Sequence, residues 1–115
     1  MKNKYYAVLN GQEILVREST HDNYNYASIE CNTFASTREQ VIARIKRDIF
    51  SGYNMTYKSY SARGYVQLWD SNRNEPVKLS REESKKYLQE RYNILNEKFN
   101  DFVSKIVKVY IKVSA

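Results

Sequence analysis

Ser80–Val113, SREESKKYLQERYNILNEKFNDFVSKIVKVYIKV, is the stretch whose reading decides the fold. It opens as a capping box: the Ser80 hydroxyl can take a backbone N–H left over at a helix start, and Glu83 can reach back to the Ser80 amide. Behind it Leu88, Tyr92, Leu95, Phe99, Phe102, Ile106, Val109 and Val113 recur in steps of four and three, which is one face of a helix. With Tyr92, Phe99, Ile106 and Val113 at heptad position a, position g holds Arg91, Lys98, Lys105 and Lys112, and position e holds Gln89, Asn96, Val103 and Tyr110. Neither a parallel nor an antiparallel self-paired coil would match those cations with anions, so the stripe is expected to cover the chain's own sheet. Residues 106–113 read two ways. Val107, Val109, Ile111 and Val113 alternate with Lys108, Tyr110 and Lys112 as in a half-buried strand, while the absence of a Gly or Pro breaker favours a continuing helix.

Upstream, Tyr5–Leu9 and Ile14–Glu18 flank Asn10-Gly11, the dipeptide suited to a two-residue hairpin turn. A polar loop from Ser19 to Asn25 leads to a third strand, Tyr26–Cys31. Ser36-Thr37-Arg38-Glu39 has the form of another capping box, and Val41, Ile42, Ile45 and Ile49 follow at helical spacing up to a stop at Ser51-Gly52. Arg38, Arg44, Lys46 and Arg47 lie mainly off that apolar stripe. Met55–Tyr60 and Tyr65–Trp69 read as two strands around a turn at Ser61–Gly64, with Val66 and Leu68 facing the core and Tyr65, Gln67 and Trp69 facing away. Asp70–Pro76 reads as a polar loop. The expected architecture is therefore α+β: a single two-layer domain over residues 1–115, with a mostly antiparallel sheet in the order β-β-β-α-β-β-α under a long C-terminal helix.

At 115 residues, 42% hydrophobic and 28% charged, the chain has the size and balance of one ordinary globular domain. It shows no apolar run of membrane-spanning length and no signal-peptide pattern after Met1, and Cys31 has no second thiol to pair with. A cytoplasmic protein with no membrane association is expected. The net charge of +6 is uneven: −1 over residues 1–35, +4 over 36–65, zero over 66–80 and +3 over 81–115. Clustered positive charge favours a polyanionic partner.

The constellation that points furthest toward function is Tyr53, Tyr57, Lys58, Tyr60, Arg63, Tyr65 and Trp69. On an open sheet face such rings would stack with bases while neighbouring cations hold phosphates. Arg44, Arg47, Lys105, Lys108 and Lys112 would add phosphate contacts. The ordinary alternative is sheet packing and a solvated charged face, since eleven tyrosines are spread along the chain. Catalysis finds little support: His21 sits in a polar loop with nothing to orient it, and Cys31 falls in a strand as a small apolar residue. One His and one Cys do not make a zinc site, and Gly11, Gly52 and Gly64 stand alone, so neither a metal nor a phosphate-cradling loop is expected. No cofactor is expected either.

A short chain rich in Tyr, Asn and Lys, with a leading Lys4-Tyr5-Tyr6 hairpin and no enzymatic signature, resembles the small accessory proteins of phages and mobile elements in low-GC Gram-positive bacteria, anti-CRISPR proteins among them. It departs from the acidic DNA mimics of that group in being basic. The resemblance implies inhibition by binding guide RNA, target DNA or an effector surface. The expectation is a non-catalytic binding protein for nucleic acid or a nucleoprotein. The alternative is a protein–protein module docking through the C-terminal helix, including on a second copy of itself as a homodimer.

Overall fold

The helix that starts at Ser80 does not run to the end of the chain; it stops at Ser104 and gives way to strand. In the computed structural model, which describes residues 2–112, the elements in order are β1 (Asn3–Leu9), β2 (Gln12–Ser19), β3 (Tyr26–Ser28), β4 (Thr33–Ala35), α1 (Arg38–Arg63), β5 (Gln67–Asp70), β6 (Glu75–Lys78), α2 (Arg81–Ser104), β7 (Val107–Lys108) and β8 (Tyr110–Ile111). The fold is α+β. Its strands form three small antiparallel sheets, β2-β1-β8, β4-β3-β7 and β5-β6, in place of the one sheet expected under a single helix. Val113, assigned above to the apolar stripe, lies outside the described residues.

The backbone divides into two compact units, residues 1–47 with 99–115 and residues 48–98. In the first, Asn10 (φ 52°) and Gly11 (φ 79°) make the turn between β1 and β2, as the dipeptide requires. Residues expected to continue one strand to Cys31 instead turn at Asn32 (φ 48°), so β3 ends at Ser28 and the chain returns as β4. The core is Tyr5, Ala7, Ala27, Phe34 and Val109, with Leu9, Val16, Tyr24 and Val107 packed around it. Tyr5 is fully buried and its hydroxyl donates to the His21 carbonyl at 2.6 Å, so the one histidine contributes its backbone to the core's polar closure. Leaving α2, the chain makes two tight amide bonds, Lys105 to the Phe102 carbonyl and Ile106 to that of Val103. Those bonds end the helix without Gly or Pro. β7 then pairs with β3, β8 pairs with β1, and Val109 between them donates its amide to the Asn25 carbonyl at 2.9 Å.

The α1 cap lies one residue on from the expected box: Gln40 N donates to Thr37 Oγ1 at 3.2 Å and Thr37 N to Gln40 Oε1 at 3.3 Å. The stop expected at Ser51-Gly52 is not used. α1 continues to Arg63, and the strand expected over Met55–Tyr60 is its last turns. The end comes at Gly64, which has φ 86° and donates its amide to the Tyr60 carbonyl at 2.7 Å.

In the second unit the Ser80 box forms as read: Glu83 N donates to Ser80 Oγ at 3.1 Å and Ser80 N to Glu83 Oε1 at 3.2 Å. Asp70–Pro76, expected as loop, holds the end of β5, the start of β6 and the turn between them, where Asp70 Oδ1 accepts the Asn72 and Arg73 amides and Asn74 takes φ 53°. Pro76 is tolerated because the two-stranded sheet consists only of edges. Val66 is held on both sides: its amide donates to the buried Ser84 Oγ at 2.8 Å, and its carbonyl accepts from Leu79 N at 2.9 Å.

Two substitutions probe these contacts. Ser84→Ala leaves the Val66 amide buried without an acceptor, and chemical denaturation is expected to show a loss of about 1–3 kcal/mol. Gly52 sits mid-helix with no atom within 4 Å of where a Cβ would go, so Gly52→Ala is expected to stabilise by about 0.5–1 kcal/mol in the same assay.

Candidate nucleic-acid interface

Continuing α1 past Gly52 changes what its tyrosines can do. Phe50, Tyr53, Tyr57 and Tyr60 come at steps of three, four and three, so they line one side of the helix instead of alternating across a strand. Their rings form a ladder with centroid spacings of 6.1 Å for Phe50–Tyr53, 6.1 Å for Tyr53–Tyr57 and 6.2 Å for Tyr57–Tyr60. Tyr92 on α2 meets Phe50 at 5.6 Å and Tyr53 at 5.8 Å. Each such pair contributes about 0.5–1.5 kcal/mol beyond area burial, which offsets the mid-helix glycine. Burial, with Tyr57 and Tyr92 close by, raises the Tyr53 phenol above its ordinary 10.0 and keeps it a neutral donor. Outward the ladder stays open, with Tyr57 50% and Tyr92 42% exposed.

Three of the expected stacking residues therefore sit on the last turns of α1, not on a sheet face: Lys58 and Arg63, both exposed, and Tyr60, half-buried. Ile49–Arg63 contains no acid. Tyr65 comes just after the helix and carries Lys78 Nζ 5.0 Å from its ring centroid; Arg63 and Tyr65 line one hollow of about 190 Å³ with Met55 and Ser59. Trp69 is on β5 opposite Pro76 and 62% exposed, and among the described residues no ring contact joins it to the tyrosine ladder.

The five expected phosphate contacts belong to the first unit. Arg44 is partly committed, its Nη1 donating to the Phe34 carbonyl at 2.8 Å; Arg47 is exposed on α1. Lys105 is held by Asp101 at 3.0 Å and Glu30 at 3.2 Å, and Lys112 by Glu13 at 2.7 Å. Lys108 is exposed on β7, opposite Tyr26. Because residues 105–112 are not helical, these three lysines do not form a helical row.

The heptad reading missed a second ring surface, on the outer side of β2-β1-β8. Tyr6 and Tyr110 stack at 6.5 Å, with Lys112 Nζ 5.6 Å from the Tyr6 centroid. The Tyr110 hydroxyl and Lys112 ammonium both donate to Glu13, lowering its carboxyl below the ordinary 4.5 and raising Tyr110 and Lys112 above 10.0 and 10.5. The alternation of residues 107–113 carried that signal. Among the described residues no group of three His, Cys, Asp or Glu could hold a metal ion, and no helix is long and apolar enough to cross a membrane. Comparison with known protein families, with characterised proteins and with solved structures finds no match for this chain.

The Glu13 contacts set a pH dependence. Glu13 titrates lower in the folded chain, so its contribution is complete above 4.5 and fades as pH falls through the depressed folded value. Tyr110 and Lys112 titrate higher, so theirs are complete below 10.0 and fade as pH rises through the raised values. Carboxyl-carbon NMR titration should place Glu13 below 4.5 and move it back up in Lys112→Met; an ordinary value in both proteins removes the contact.

Proposed function

We propose that the chain is a non-catalytic binding protein that engages nucleic acid or a nucleoprotein through the second unit's tyrosine ladder and its cations. The observation that carries this is the acid-free helix stretch where the half-exposed Tyr57 adjoins Lys58, with Tyr60 and Arg63 on the following turns. Rings offer flat faces to bases of any sequence, and flanking cations take phosphates. Lys105 and Lys112 contribute less, because a phosphate must compete with their carboxylates. Cytoplasmic action against a host defence system, such as a CRISPR-Cas effector, fits this reading: occupying guide RNA, displaced strand or effector surface requires binding alone. A single-domain phage inhibitor is the corresponding biological role.

A second reading, docking of α2 on a protein partner or on a second copy of the chain, is favoured by Ile94 and Tyr92, which α2 leaves 57% and 42% exposed. Light scattering combined with Ile94→Lys tests it: a dimer that this change dissociates supports self-association.

Fluorescence polarisation with labelled single-stranded DNA and RNA tests the leading reading. Binding should weaken steeply between about 50 and 200 mM salt. Tyr57→Ala should cost about 1–3 kcal/mol of affinity, and Lys58→Gln or Arg63→Gln should each lower the salt slope by about one. Absence of binding to any strand at the lower salt removes the nucleic-acid reading.

A further inference from the structure

Between α1 and α2, within residues 48–98, lies a groove of about 240 Å³ whose lining includes Gly52, Tyr53 and Thr56 from one helix and Tyr87, Leu88 and Arg91 from the other. We infer that this groove is a pocket for one nucleotide of a bound strand, its phosphate on Arg91 and its base against the tyrosine rings. The inference rests on the nucleic-acid reading above and assigns it a specific site.

The lining has the right polarity for a phosphate ester. It contains no carboxylate. Arg91 is exposed and makes no ion pair among the described residues, so its guanidinium fork remains available. On its own helix, Glu90 and Glu97 fall about 100° and 120° away around the axis. On the facing part of α1, 48–63, the charged side chains are Asp48, which precedes Gly52 by one turn and is not in the lining, Lys58 and Arg63. Tyr53 and Tyr87 add hydroxyl donors, while Leu88, buried, gives the groove an apolar floor. The Thr56 hydroxyl donates to the Gly52 carbonyl at 3.0 Å, which leaves its oxygen free only to accept.

Gly52 is the second observation. A glycine inside a helix is unfavourable, and packing does not require one here, since a Cβ would meet nothing within 4 Å. What its missing side chain leaves open is the groove. The neighbouring tyrosines hold their rings in place through the ladder, Tyr53 against Phe50, Tyr57 and Tyr92, so the α1 wall is formed before any ligand arrives.

The test uses the full isotope-labelled chain, titrated by NMR with adenosine monophosphate, adenosine and a short single-stranded oligonucleotide, alongside polarisation for the oligonucleotide. The monophosphate is expected to shift the amides of residues 52–56 and 87–91, and adenosine to do so more weakly. Arg91→Gln and Gly52→Leu are each expected to weaken oligonucleotide binding about tenfold. Gly52→Leu fills the groove, and its thermal midpoint should not fall, because Leu is the better helix former. Arg91→Gln changes an exposed side chain and gives the same reading should Gly52→Leu fold poorly. Equal oligonucleotide affinity for wild type and Arg91→Gln, with shifts confined to residues 57–63, overturns the pocket and leaves the broader reading standing. Monophosphate shifts in the groove without oligonucleotide binding keep the pocket and overturn the broader reading. Equal shifts from adenosine and its monophosphate overturn the phosphate assignment.

Discussion

The first unit depends on one strand segment placed at the end of the chain. Val109 sits 4% exposed between β7 and β8, its amide bonded to the Asn25 carbonyl, so a single residue is shared between two sheets that otherwise have separate strands. Without residues 107–111, β2-β1 and β4-β3 would be isolated hairpins, and two-stranded hairpins are at best marginally stable in water. The pairing closes a loop of about one hundred residues between β1 and β8, yet closure entropy grows only logarithmically with length. Buried apolar contacts around Tyr5, Phe34 and Val109 are enough to offset it, at about 1.5–3 kcal/mol per large side chain. The same constraint decides the fate of the C-terminal lysines. Flanking the short β7 and β8, Lys105 and Lys112 become partners of the protein's own acids, Lys105 of Asp101 and Glu30 and Lys112 of Glu13.

What the sequence made legible was what local chemistry determines alone. The Ser80 box needs only residues three apart, and the Asn10-Gly11 turn needs only its φ preferences, so both were readable. The strand at 107–111 was half readable: β-branching and alternation were visible, while the breaker expected before it was replaced by two tight amide bonds. The hidden parts were settled by packing between distant residues. At Gly52 a local rule stops the helix, but the penalty for an interior glycine is about 1 kcal/mol, less than the ring contacts that Phe50, Tyr53 and Tyr92 make once it continues. The spacing of Phe50, Tyr53, Tyr57 and Tyr60 was the available signal. It was masked by the preference of tyrosine for strands.

The local charge balance separates the two groups of candidate cations. A net charge of +6 does not say where a polyanion would settle, since surface fields are screened within about 8–10 Å at ordinary ionic strength. The local balance does. In the first unit several cations already have carboxylate or carbonyl partners, whereas the last turns of α1 have no acid on them. A cation with no carboxylate beside it loses less on taking a phosphate, because no existing contact is given up. Arg63, Lys58 and Tyr57 lie on a helix in place of the expected hairpin.

That change of element also bears on the form of nucleic acid the ladder suits. Stacked bases in a duplex rise about 3.4 Å per step along each strand. The rings of Tyr53, Tyr57 and Tyr60 are spaced at 6.1 and 6.2 Å, close to twice that rise, because helical residues three and four apart set the interval. Paired bases would have to unstack to meet them. A single strand has already lost pairing and much of its stacking, so laying its bases on tyrosines at that interval requires no duplex to be opened. An exposed helix side also lacks the unpaired backbone edge that would let a protein partner add a strand. The geometry that removes the expected sheet platform thus narrows the proposed reading toward extended single strands, with Tyr57 as the ring most open to them.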